Sequence, residues 1–208
     1  MSLPTRRQGY TFLEPLRGKS TVFLIADRQE NAVMLRFLLG CLAALKYNTA
    51  LFDTSCFYGV NIKWITQGLP KEFLQQTTLI QLSEKLSPEV SLSDITTIES
   101  RVIMIDDLNA ILHLLSSQSR RSGIHRLATL YRLLSYEARM NELFILGSIY
   151  KSKSQDTASN THKRSLADIA DLQVTVEAQP TEIIFRCDKI PTWPIGGFRT
   201  PIYLEPRT

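Results

Sequence analysis

Gly18-Lys-Ser-Thr21 carries the residue types that close a phosphate-binding loop, in which backbone N–H groups wrap a phosphate, a lysine neutralises its charge and a hydroxyl holds magnesium. The complete loop needs a second glycine where Leu13 stands. The position is also wrong, because such a loop follows a strand and opens a helix, whereas this tetrapeptide precedes the apolar run Val22-Phe-Leu-Ile25. It reads as a turn. The strand-to-helix slot is taken by Ala26-Asp-Arg-Gln-Glu-Asn-Ala-Val33. Laid on the loop pattern, Ala26 and Asn31 replace the two glycines, Ala32 the lysine and Val33 the hydroxyl, while Asp27 and Glu30 repel phosphate. The expectation is no catalytic residue and no nucleotide cofactor.

Metal chemistry is equally unsupported. Cys41, Cys56 and Cys187 form no C-x-x-C pair, and His113, His125 and His162 lie apart from one another and from carboxylates at ligand spacing. No metal site is expected. Asp106 and Asp107 end an apolar run and read as a polar strand end that caps the next helix.

The basic residues carry more information. Arg121, His125, Arg132 and Arg139 recur at spacings of 4, 7 and 7 residues, which aligns them on one helix face, while Ile124, Leu127, Tyr131, Leu134 and Ala138 line another. Arg120 and Arg126 lie beside them. Residues 151–164 hold Lys151, Lys153, Lys163 and Arg164 against the single acid Asp156, a local charge of +3. Both segments suit a phosphate backbone; both also read as ordinary solvated surface.

The elements that must position these residues alternate between strands and helices. Residues 22–25, 49–53, 77–82, 102–107 and 143–149 read as strands, several without polar alternation and hence buried on both faces. Helices are expected over 31–46, 108–115 and 124–140, with a broken helix within 59–76, a polar and acidic stretch over 83–100 in which a helix starts near Ser93, a turn over 116–123 and a loop over 151–164. The tail, with strands near 172–176, 181–187 and 198–204, is rich in turn residues. This order implies a mainly parallel sheet flanked by helices, with a C-terminal antiparallel extension.

Composition agrees with a folded globular chain. Of 208 residues, 44% are hydrophobic and 21% charged, which excludes disordered and fibrous classes. No apolar run is long enough for a membrane span and no secretory signal is evident, so an intracellular site and no membrane partner are expected. Lys and Arg exceed Asp and Glu by 24 to 20, compatible with a polyanionic partner.

The order of elements resembles the RecA-like ATPase core of the archaeal and eukaryotic strand-exchange recombinases and their paralogues. Leu51-Phe-Asp-Thr-Ser55 is similar to a family strand end, with Ser55 in place of the water-activating glutamate. Asp106 matches the magnesium-assisting aspartate, 121–126 and the following helix the first DNA-facing loop and its helix, and 151–164 the second such loop. Asp188-Lys-Ile-Pro-Thr-Trp-Pro194, with Phe198, resembles the closing turn. The resemblance implies a RecA-like core over 16–208 preceded by an N-terminal arm over 1–15. Tyr10 and Phe12 on that arm, with Trp64, are candidate interface residues; for Trp64 and Trp193 core packing is the alternative.

The resemblance further implies a non-catalytic subunit of a DNA recombination or repair complex, like small recombinase paralogues such as those of the Shu complex. Its partners would be DNA, bound without sequence preference, and other RecA-like subunits, as a homodimer, heterodimer or larger assembly, nuclear in a eukaryote. Alternatives are an Elongator-type ring subunit acting on transfer RNA, or an ATPase whose site a partner completes. The candidate nucleic-acid residues are Arg120, Arg121, His125, Arg126, Arg132, Lys151, Lys153, Lys163 and Arg164.

Overall fold

A computed structural model describes residues 3–54, 57–81, 99–116, 120–150, 170–187, 189–190, 193 and 197–201, with backbone only at 57–60 and 120. The elements are α1 (Arg6–Leu13), β1 (Lys19–Ile25), α2 (Arg28–Leu45), β2 (Thr49–Asp53), α3 (Phe57–Thr66), α4 (Lys71–Gln75) and β3 (Thr77–Gln81). They continue with β4 (Val102–Ile105), α5 (Leu108–Leu115), α6 (Arg120–Asn141), β5 (Phe144–Tyr150), β6 (Leu172–Ala178), β7 (Glu182–Arg186) and β8 (Phe198–Pro201). The strands form one sheet in the order β3-β2-β4-β5-β1-β6-β7-β8. Pairing is parallel from β3 to β6 and antiparallel between β6, β7 and β8. The expected mainly parallel sheet with an antiparallel extension is therefore present.

The apolar strands lack alternation because both faces of the sheet are covered. In β4, Val102 and Met104 pack into the layer built with α2, while Ile103 and Ile105 pack into the layer built with α5 and α6. Gly147 on β5 shows how close the second layer lies: a Cβ there would be 2.5 Å from Tyr131 Oη, so a side chain would push α6 off the sheet. Helix α2 is buried almost all round, between the sheet and α1. Among the described residues, no helix is long and apolar enough to cross a membrane.

From Leu3 onward, the segment before β1 packs on the rest of the fold. Thr5 caps α1 through a reciprocal pair with Gln8, and α1 lies against α2 where Gly9 approaches the Cys41 backbone. The helix places Phe12 inside an aromatic cluster with Phe37, Phe185, Trp193 and Phe198. Phe12 has no solvent exposure, so the assignment of Phe12 to an intermolecular interface is corrected to the chain's own core. Tyr10, on the opposite side of α1, is exposed. Trp64 is half-buried: the Arg36 guanidinium lies 5.1 Å from its ring centroid and donates to its carbonyl oxygen at 2.9 Å. Trp193 packs in the core.

Several boundaries shift, among them the start of β1, which lies at Lys19 and not at 22. α2 begins at Arg28, because Asp27 supplies its cap, and α6 begins at Arg120, so the expected turn over 116–123 is shorter. The stretches 83–98 and 151–164, with Lys151, Lys153, Lys163 and Arg164, lie outside the described residues, as do Ser55, Cys56, His162, Asp188 and Pro194. Gly18 has φ +67°, the left-handed turn conformation, and Lys19 Nζ donates to the Pro15 carbonyl oxygen at 2.9 Å. Of Gly18-Lys-Ser-Thr21, only Gly18 lies in the turn; Lys19, Ser20 and Thr21 are the first residues of β1, so the expected turn is shorter.

Candidate functional site

In an open parallel sheet, ligands bind beyond the carboxyl ends of the strands where the chain reverses its order. Here that point is the end of β1, since α2 carries the chain past β5 and β4 to reach β2. Only Ala26 and Asp27 separate β1 from α2, too few to wrap a phosphate. Asp27 Oδ1 accepts the Glu30 N–H at 2.9 Å. The buried Glu30 carboxylate accepts the Ala26 N–H through one oxygen and the Ala178 N–H through the other, the latter at 2.9 Å. The Glu30 N–H, one of the donors that elsewhere make a helix start attractive to anions, is therefore bonded to a carboxylate of this chain, as is the Ala26 N–H of the turn.

Behind the turn, Asn31 is fully buried, and its Nδ2 donates to Asp106 Oδ1 and to Tyr150 Oη, each at 2.9 Å. Burial, with Asp106 alongside, pushes the Tyr150 phenol well above its ordinary range. Asp107 caps α5, accepting the Asn109 N–H at 2.8 Å, although burial still raises its carboxyl above the usual range. Of the aspartate pair, Asp107 takes the helix cap and Asp106 bonds to Asn31. Ala32 and Val33 are buried and bring neither charge nor hydroxyl. No group of three or more potential metal ligands occurs among the described residues.

Helix α6 supplies the basic surface. Leu127, Tyr131, Leu134 and Ala138 are buried against the sheet, and Arg121, His125, Arg132 and Arg139 are exposed, as the spacing predicts, while Ile124 of the expected buried set is only half-buried. Arg126 is half-buried, and nothing is described of the Arg120 side chain. The helix runs from the carboxyl edge of the sheet to its amino edge. Tyr131 lies at Gly147 and Thr21, Ser135 at Ser20, and Ala138 near Gly18. Arg120 and Arg121 thus open α6 at the edge where β4 and β5, which are hydrogen-bonded neighbours, end.

Arg139 makes a contact that the sequence did not announce. Its guanidinium pairs with Asp171 Oδ1, while Asp171 Oδ2 accepts the Ser20 N–H and hydroxyl, each at 2.9 Å. Ser135 Oγ lies 2.6 Å from Ser20 Oγ. This knot ties α6 and the starts of β1 and β6. Burial would raise the Asp171 carboxyl, but the Ser20 and Arg139 hydrogen bonds outweigh it and hold the group below its usual range.

A folded value below the unfolded one, about 4 for an aspartate, means that the knot stabilises the fold above about pH 4. That contribution disappears as the pH falls through the folded value. Unfolding measured from about pH 7 to about pH 2 is expected to show a steeper acid loss in the parent than in Asp171→Asn; parallel curves would exclude the linkage.

The sheet order, the two helical layers and the antiparallel extension define a RecA-like α/β fold. Solved structures agree. The chain is similar to the "ATPase Domain of G40P" at 14% identity and TM-score 0.60, covering 98% of this chain and 93% of that one. It is similar to the RadB recombinase at 14% identity and TM-score 0.59, covering 89% and 87%. The flagellar accessory protein FlaH from Methanocaldococcus jannaschii matches at 11% identity and TM-score 0.56, again covering 89% and 87%. At these identities the likeness is one of fold. No protein-family profile matches the chain, and no curated protein matches it in sequence.

Proposed function

We propose that this chain is a non-catalytic RecA-like subunit of a complex that acts on DNA in recombination or repair, contributing scaffold and contacts to the nucleic-acid backbone. The observation that carries the non-catalytic half is the Glu30 carboxylate bonded to the Ala26 and Ala178 amides at the one place where the fold would receive a nucleotide's phosphates. A phosphate there would meet the carboxylates of Glu30 and Asp27, with alanine where a lysine is needed to neutralise developing charge. The RadB recombinase, a neighbour in fold, supports the recombination setting.

The basic start of α6 supports the nucleic-acid half. Phosphate contacts carry no sequence information, and each one neutralised adds about 0.7 to 0.9 to the slope of log affinity against log salt. Titration calorimetry with ATP and magnesium is expected to give no heat of binding. Fluorescence anisotropy with single- and double-stranded DNA is expected to show weak, salt-sensitive binding, and Arg120→Ala with Arg121→Ala lowers both affinity and slope. Micromolar ATP binding abolished by changes within residues 26–33 would overturn the first half. An unchanged slope in the double variant would overturn the second.

A further inference from the structure

Helix α6 is apolar on two sides. Opposite the buried Leu127, Tyr131, Leu134 and Ala138, its carboxyl-terminal half exposes Leu133, Tyr136 and Met140 by 55%, 59% and 64%. Their spacings of 3 and 4 residues are those of successive a, d and a positions in a two-helix seam. The three fall within about 60° of one another, roughly half a turn from the buried face. The other exposed large hydrophobics among the described residues, Leu3, Tyr10, Leu74 and Leu79, are not on this helix. A contiguous exposed patch marks an interaction site where single residues do not.

The two flanks of the stripe carry opposite charge. Arg132 lies about 70° from its centre on one side and Glu137 about 70° on the other. Arg139, on the Arg132 side, pairs with Asp171 of its own chain. On the other side Glu137 accepts the Asn141 amide N–H at 2.9 Å and lines a cleft with Glu99 and Arg101, where the Arg101 guanidinium lies 4.7 Å from the Tyr47 ring centroid. In the heptad set by Leu133 and Tyr136, Arg132 takes a g position and Glu137 the following e position, the two that face each other across a parallel seam. A two-fold axis running along the helices forms that pair twice. Apolar spacing and flank charge therefore fit the same neighbour, a second copy of this chain.

We propose that two copies of this chain associate through parallel α6 helices, Leu133, Tyr136 and Met140 meeting their own counterparts and Arg132 of each copy pairing with Glu137 of the other. Contact is confined to the carboxyl-terminal half. Straight helices crossing at about 20° are about 5 Å farther apart some ten residues upstream, which keeps the Arg126 side chains from meeting. The patch is small, so the dimer is weak, with a Kd of the order of 10 to 100 μM. The axis direction leaves both α6 starts, with Arg121, at the same end of the dimer. The pairing goes beyond the nucleic-acid reading and stands without any DNA contact.

Sedimentation velocity of the full chain from about 5 to about 500 μM tests it, with disulfide trapping to read the orientation. The parent is expected to pass from monomer to dimer across that range. Leu133→Ser with Tyr136→Ser should weaken the dimer about tenfold or more, as should Arg132→Glu or Glu137→Arg alone. An equimolar mixture of the two charge variants should associate again, because each then offers the charge that the other lacks; that rescue also shows that both are folded. Thermal melting of the serine variant should match the parent. In a Cys56→Ser, Cys187→Ser background, Leu133→Cys and Met140→Cys should each form a disulfide with its own counterpart under mild oxidation. A parent that stays monomeric throughout, a dimer unchanged by the variants, or a mixture that fails to associate would overturn the proposal. So would trapping only between Leu133→Cys and Met140→Cys copies, the result an antiparallel pair gives.

Discussion

Phe12→Ala is expected to destabilise the protein by about 3 to 5 kcal/mol, the usual cost of emptying a large aromatic site in a packed core. Phe12 touches four aromatic rings, with centroids 5.0, 4.6, 5.2 and 5.1 Å away on Phe37, Phe185, Trp193 and Phe198. These rings come from α2, β7, the segment after it and β8, so one side chain at the start of the chain joins elements from its far end. Edge and offset contacts of this kind add to area burial. Tyr10→Ala, two residues away and exposed, should change stability by less than about 0.5 kcal/mol. Urea unfolding of both variants decides the matter: equal midpoints would mean that α1 is not part of the cooperative unit.

Glu30→Ala is the second large effect, expected at about 3 kcal/mol, because two backbone donors lose a charged acceptor at once. Leaving a buried donor unpaired costs about 1 to 3 kcal/mol. Glu30→Gln keeps the shape, but its amide presents N–H to one of the two donors, so an intermediate loss is expected. Thermal or chemical unfolding ranks the three proteins. If Glu30→Ala unfolds like the parent, the carboxylate is incidental and the turn at the end of β1 is held by Asp27 alone.

The fold was legible because its strongest signals are local. Val102-Ile-Met-Ile105, apolar at every position, announces a strand with helices on both faces, and 108–115 matches α5 in full. That Ala32 and Val33 bring neither charge nor hydroxyl to the helix start was legible as well. That Glu30 bonds to Ala178 was not, because a carboxylate near a helix start reads as a repulsive charge until the strand that brings the second amide is in place. The Asp171 knot spans 151 residues and leaves no trace in spacing. Phe12 was misassigned for a related reason: α1 is short and its apolar partners on β7 and β8 lie near the other end of the chain. The stripe on α6 had a signal, apolar residues at 133, 136 and 140, but the more regular buried set masked it.

The place of β1 between β5 and β6 bears on how the protein comes to be folded. Val22, Phe23 and Ile25 are wholly or almost wholly enclosed, yet the neighbours that enclose the strand begin about 125 and 150 residues later, where Lys19 meets Phe144 and Thr21 meets Leu172. At a ribosomal rate of about 5 to 20 residues per second, the strand is made roughly 6 to 25 s before its first partner exists. Folding therefore closes its largest loops late and cannot proceed strand by strand from the amino terminus. During that interval an apolar segment with both edges unpaired is exposed, the condition under which incompletely folded chains aggregate.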